Sequence, residues 1–151
     1  MPLWDQLKTK TAEMSSQLKT KAKTFKNADF ANASMAICAL IAAADGKIDA
    51  DERRKTAGFI ASNDVLSIFP AEDLRATFDK YCNKLDSDFD FGKIEAIQTI
   101  GKLKKKQDQA RAVIQVGIII GGADGNFDDD EKKAVRDACF ACGIAPQEFD
   151  L

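Results

Sequence analysis

Histidine is absent from this chain of 151 residues, and proline (three), tryptophan (one) and tyrosine (one) are scarce. Without imidazole there is no Ser-His-Asp or Cys-His catalytic unit, no His-bearing zinc site and no histidine switch near neutral pH. Any chemistry must use carboxylates, lysines or thiols. Long apolar runs are missing as well: the longest, at 35–44 and 116–123, fall short of the roughly 20 residues that a membrane-spanning helix needs. The N-terminus MPLWDQLKTK has neither a basic n-region nor an apolar h-region, so no secretory signal is expected. On that reading Cys38, Cys82, Cys139 and Cys142 are reduced thiols of a cytoplasmic protein.

What is present is a helix-forming composition, rich in Ala and aliphatic residues, with 45% apolar and 30% charged residues. One all-α domain of roughly seven helices is the expectation. The net charge of −2 conceals an uneven distribution: residues 1–30 carry six Lys against Asp5, Glu13 and Asp29, a net of +3, which leaves −5 for the other 121 residues. In the first segment Leu3, Leu7, Met14, Leu18, Ala22 and Phe25 form an apolar row, broken by Thr11. Lys8, Lys10, Lys19, Lys21, Lys23 and Lys26 lie largely off it, and Trp4 stands at the end. Residues 1–28 therefore read as a basic amphipathic arm, with two readings open: a helix docked loosely on the domain or frayed in solution, or a contact with an anionic membrane surface or membrane partner.

The rest, residues 29–151, reads as the helical domain. Helices are expected at about 30–44, from about Ala50 to before Ser62, at 71–85 after Pro70, from Ser87 or Asp88 to about Leu103, at 109–123 capped by Asp108, and at 129–142 before Gly143. The row Phe91, Ile94, Ile97, Ile100 and Leu103 is read as an i, i+3 stripe on that helix. Lys102 to Lys106 fit a helix C-terminus and require no nucleic acid. Cys139-Phe140-Ala141-Cys142 falls in a last helical turn, where the dipole opposes a thiolate, so these are read as buried structural thiols rather than a redox pair.

At an offset of 79 residues the chain aligns with itself: Ile37 to Arg54 lies over Val116 to Lys133. The shared core is Ala-Asp-Gly-x-(Ile/Phe)-Asp-x-Asp-Glu-(Arg/Lys)-(Arg/Lys), and it predicts two helix–loop–helix units, about 36–60 and 115–139. Gly46 and Gly125 suit a positive φ, Ile48 and Phe127 a return to the core, and Asp49 and Asp128 an N-cap. Asp51, Glu52, Asp130 and Glu131 then sit in a first turn that favours negative charge. Asp45 and Asp124 have no such role at a helix C-terminus, and the crowding of acids costs repulsion that a cation would offset. Ca²⁺ or Mg²⁺ would take oxygen ligands from carboxylates and loop carbonyls such as these turns offer, with Asp88 and Asp90, in the acidic loop between the repeats, as auxiliary acids.

The spacing from each Asp-Gly to its Glu matches the second half of an EF-hand loop, but Ile41, Ala43, Ile120 and Gly122 stand where the first carboxylates belong. A true EF-hand is therefore rejected, and any metal must find further ligands elsewhere. The alternative is that these loops are purely structural turns.

The paired Ala44-Asp45-Gly46 and Ala123-Asp124-Gly125, the central Asp88-Phe89-Asp90-Phe91-Gly92-Lys93 and the string Asp124 to Lys132 resemble the tellurite-resistance protein B (TerB) family over essentially the whole chain. The resemblance implies an all-helical fold in two pseudo-symmetric halves and a role in bacterial tellurite resistance and stress near the inner membrane. It also implies a cation site at Asp45, Asp49, Asp51 and Glu52 and at Asp124, Asp128, Asp130 and Glu131, and as partners a TerC-type integral membrane protein and TerD-type calcium-binding proteins. No enzymatic activity is expected: paired carboxylates such as Asp128 and Glu131 lack a nucleophile or cleft around them. The runner-up is a plain helical adaptor that binds proteins without metal.

Overall fold

The structure, a computed structural model, describes residues 24–151. Among these residues there are six α-helices and two short 3₁₀ turns, and no strand. The helices are α1 (Ala28–Ala42), α2 (Ala50–Ser62), α3 (Ala71–Ser87), α4 (Phe89–Gly101), α5 (Gln107–Gly121) and α6 (Asp129–Ala141). The 3₁₀ turns are Leu66–Ile68 and Pro146–Phe149. A seventh helix was expected in residues 1–28; residues 1–23 lie outside the described part. Thr24 to Asn27 are not helical, and α1 begins at Ala28.

Helix α1 is the axis of the molecule. Every residue from Ala33 to Ala43 is buried, which suits a helix that is apolar on all sides and rich in alanine. It packs against α3, α4, α5 and α6. Its start is set by Asn27, whose side-chain oxygen accepts the Phe30 amide at 2.9 Å while its amide nitrogen donates to Gln109 Oε1 at 3.0 Å.

Pro70 precedes α3 as the sequence predicts, and Leu74, Phe78, Tyr81, Cys82 and Leu85 are buried. Asp88 ends α3 and caps α4, accepting the Phe91 amide at 3.2 Å, so a single residue reverses the chain. The crossing is close enough to require Gly92: a Cβ there would lie 2.7 Å from the Leu85 nitrogen.

The stripe on α4 is divided between solvent and core. Phe91 and Ile94 are 67% and 53% exposed, Ile97 is half-buried, and only Ile100 and Leu103 reach the core. A strict i, i+3 row precesses by about 60° per step on a helix of 3.6 residues per turn, so its two ends cannot share one face. The start of α5 also differs: Asp108 lies in the first turn and does not cap the helix. Gln107 instead ties the turn down, donating from Nε2 to the Lys104 carbonyl at 2.6 Å and the Cys142 carbonyl at 3.0 Å.

Candidate functional site

The bounds of α1 and α5, at 28–42 and 107–121, are 79 residues apart, as are those of α2 and α6, at 50–62 and 129–141. The turns between them follow one backbone plan. Gly46 and Gly125 take positive φ values of 94° and 82°, where any other residue would be strained. Asp49 accepts the Glu52 amide at 2.7 Å, and Asp128 accepts the Glu131 amide at 2.8 Å.

Asp45 and Asp124 also have a local role, which the sequence argument had denied them. Asp45 Oδ1 accepts the Lys47 amide at 3.3 Å, and Asp124 Oδ1 accepts the Asn126 amide at 3.0 Å. Each closes an Asx-type turn around its glycine. Local hydrogen bonding thus accounts for four of the eight proposed ligands.

The surroundings of the two turns differ. Phe127 is buried, and its ring lies where a Cβ on Gly121 would come within 2.9 Å of it. Ile48, its counterpart, is only partly buried. Glu131 reaches back to accept the Asp128 amide at 3.2 Å, completing a capping box. Burial, together with the nearby Asp128 and Asp124 carboxylates, raises the Glu131 pKa to about 8, although the Asp128 amide favours its charged form.

Lys55 of α2 crosses to the second turn and pairs with Asp124 at 2.8 Å. Partial burial works against a charged Asp124, but Lys55 and the Asn126 amide outweigh it and hold the carboxyl below its ordinary range. The hydrogen bond to Asp124 in turn raises the Lys55 pKa, aided by Glu52 and Glu131. Lys55 was missed as a site residue, although the signal was one step beyond the aligned repeat: 79 positions on stands Ala134, which brings no charge.

The first turn faces α6. A hollow of about 270 Å³ holds Asp45 and Gly46 together with Phe89, Lys93, Asp130 and Lys133. Lys93 pairs with Asp137 at 3.0 Å. The structure therefore brings Asp45 and Asp130 to one hollow and gathers Asp124, Glu131 and Glu52 around Lys55. Asp51 points away to an exposed pair with Arg54 at 3.4 Å. Of the auxiliary acids, Asp88 serves as the α4 cap and Asp90 is exposed in the first turn. Among the described residues no group of three or more Cys, Asp or Glu side chains is placed to hold a metal ion.

All four cysteines are free and buried. Burial raises each thiol, Cys38 furthest, Cys82 and Cys139 to about 12 and Cys142 to about 11. Cys142 Sγ donates to the Ile100 carbonyl at 3.5 Å. These are un-ionised core groups, as the place of Cys139 and Cys142 at the end of α6 predicts for those two. Of the proposed membrane contacts, Trp4, Lys8, Lys10, Lys19, Lys21 and Lys23 lie outside the described residues, and Lys26 is exposed. No helix of the described residues is long and apolar enough to cross a membrane.

A curated protein from Alcaligenes sp., the tellurium resistance protein TerB, is 29% identical over 118 residues, covering 78% of this chain and 97% of that protein. No solved structure matches the chain. The family model described as tellurite resistance protein TerB matches residues 31–151, which takes in α2 to α6, nearly all of α1 and both acidic turns. The chain belongs to the TerB family of tellurite-resistance proteins.

Proposed function

We propose that this tellurite-resistance protein is non-enzymatic and binds a hard divalent cation, Ca²⁺ or Mg²⁺, at its acidic turns, using the bound ion to dock partner proteins at the inner membrane. The two helix–turn–helix units act as equivalent halves that differ in their charge balance. The observation that carries this reading is the pairing of Asp124 with Lys55 at 2.8 Å. The second turn pairs with a positive charge from the opposite unit, whereas Ala134 stands at the corresponding position for the first turn, and Lys93 and Lys133, which share the hollow of Asp45, form no ion pair with it among the described residues. A cation supplies at Asp45 what Lys55 supplies at Asp124.

Mg²⁺ keeps several waters and binds through one or two carboxylates, so a cage of three is not required. Oxygens of a partner complete the shell, and this couples the ion to scaffolding. TerC-type membrane proteins and TerD-type calcium-binding proteins are the partners this reading assigns, with the basic residues of the N-terminal arm supporting contact with an anionic surface.

The test is a titration with Mg²⁺ and with Ca²⁺ that follows the amides of residues 45–52 and 124–131. Shifts are expected in the first turn at roughly millimolar cation, and Ala134→Lys should weaken them. A second reading rests on the backbone hydrogen bonds already made by Asp45, Asp49, Asp124 and Asp128. If no localised shift appears, the turns are structural and the protein is a helical adaptor.

A further inference from the structure

Among the described residues the large hydrophobic side chains left in solvent are Phe91 and Ile94 on α4 and Phe140 on α6, the last 66% exposed. Scattered singly, such side chains need no explanation. What singles out α4 is the charge pattern in which two of them stand.

Along the solvent side of α4 the exposed residues are Phe91, Ile94 and Gln98, and the turn that follows the helix continues the row with Lys102 and Lys105, all at helical steps of three and four. Asp86, Asp88 and Asp90, also exposed, stand at the N-terminal end, and Lys104 and Lys106 join the C-terminal end. The face is therefore acidic at one end, apolar in the middle and basic at the other end. Its flanks are neutralised within the chain, Lys93 by Asp137 at 3.0 Å and Glu95 by Lys84. Asp86, Asp90, Lys102 and Lys105 form no ion pair among the described residues. The helix dipole favours this polarity within one chain, and the same polarity makes the face complementary to a copy of itself that runs the other way.

We propose that two copies of this chain pair through α4, packed antiparallel about a two-fold axis level with Ala96, with Asp90 of each copy opposite Lys102 of the other, Phe91 opposite Gly101 and Ile94 opposite Gln98. A two-fold axis makes each of these contacts twice. Gly101 suits the register. It does not take a positive φ, and a Cβ there would meet the Ala141 carbonyl oxygen at 3.5 Å, an ordinary contact, so the fold of one chain does not require glycine. Its bare backbone leaves a notch beside Ala141, the neighbour in sequence of the exposed Phe140. Phe91 lies about 15 Å from Gly101 along the helix and cannot cover that notch in its own chain. The two-fold axis sets each Phe91 into the other copy's notch, beside Phe140, and removes both rings from water. One helix face with one flanking ring buries less than the roughly 800 Å² per partner of a standard stable complex, so the dimer is weak and depends on concentration.

The inference does not depend on cation binding, and its test uses the full chain in EDTA. Sedimentation equilibrium should show a reversible dimer with a midpoint at roughly 100 μM. Amide shifts at Phe91, Ile94, Gln98 and Gly101 should grow with protein concentration, while the amides of Ala61 and Ser67 stay in place. Ile94→Asp, at an exposed site that leaves the core intact, should weaken the dimer at least about tenfold. Asp90→Lys and Lys102→Asp should each weaken it about tenfold, because each sets like charges opposite one another twice. Mixing these two variants should restore association, since one then presents only lysine at the two positions and the other only aspartate. Three results would overturn the proposal: a chain still monomeric at about 1 mM, a dimer whose shifts lie away from α4, or a mixture that associates no better than either variant alone. Amides of α4 that respond to phosphatidylglycerol vesicles and not to protein concentration would also overturn it, in favour of a membrane surface.

Discussion

The turns at 45–52 and 124–131 share helix bounds, a positive-φ glycine and an N-cap aspartate at a constant offset, yet their carboxylates experience different environments. The first turn is held by a single cap and a partly buried Ile48. The second has a capping box, a buried Phe127, a Glu131 pressed toward its neutral form and an Asp124 held charged by Lys55. The lesson is that a repeated local sequence reproduces the backbone, whereas charge balance depends on which residues the opposite unit presents. Duplicated motifs need not have duplicated sites.

The largest expected break in this comparison is in the core beneath each turn. Phe127→Ala should cost about 3–5 kcal/mol, and Ile48→Ala no more than about 2 kcal/mol, measured by urea unfolding. Equal losses would mean that the two turns are anchored alike. Next come the caps: Asp128→Ala should cost about 1–2 kcal/mol and Asp49→Ala about 1 kcal/mol, because only the former also dismantles a reciprocal box.

The pH dependence sharpens the contrast further. Folded Glu131 keeps its proton up to about pH 8 instead of the ordinary 4.5. The folded state therefore binds more protons than the unfolded state in that window, and stability falls as pH rises through it. Glu131→Gln, which stays neutral and keeps the cap, should flatten that decline in thermal melts from pH 5 to 8; an unchanged slope would move the proton to another group. Asp124 works in the opposite direction. Its depressed pKa contributes stability above the ordinary carboxylate range that is lost as pH falls through the folded value. The smallest effect is Lys55→Ala, which should raise the Asp124 pKa in a carboxyl NMR titration; an unmoved Asp124 would mean that Lys55 does not hold it charged.

Much of the fold was legible because its signals are local. Proline at 70, Asp88 as a cap, the glycines at 46 and 125, and the buried row Leu74, Phe78, Tyr81 and Leu85 all act within a turn or two of themselves. The stripe on α4 shows the limit of spacing alone, because Phe91 and Ile94 have helical spacing yet stay exposed. The acids of the site were legible by kind and position. Their partners were not: Lys55, Lys93 and the half-buried state of Glu131 depend on segments tens of residues away.

By itself the sequence determined the element types, the repeated turns, the un-ionised place of the cysteines and the family, since capping, positive φ and apolar periodicity depend on near neighbours along the chain. The tertiary structure decided which turn receives Lys55 and which hydrophobics remain in solvent. Those outcomes follow from which surfaces the packing of α1 against α3 to α6 brings within a few ångströms, a distance that no spacing in the sequence encodes.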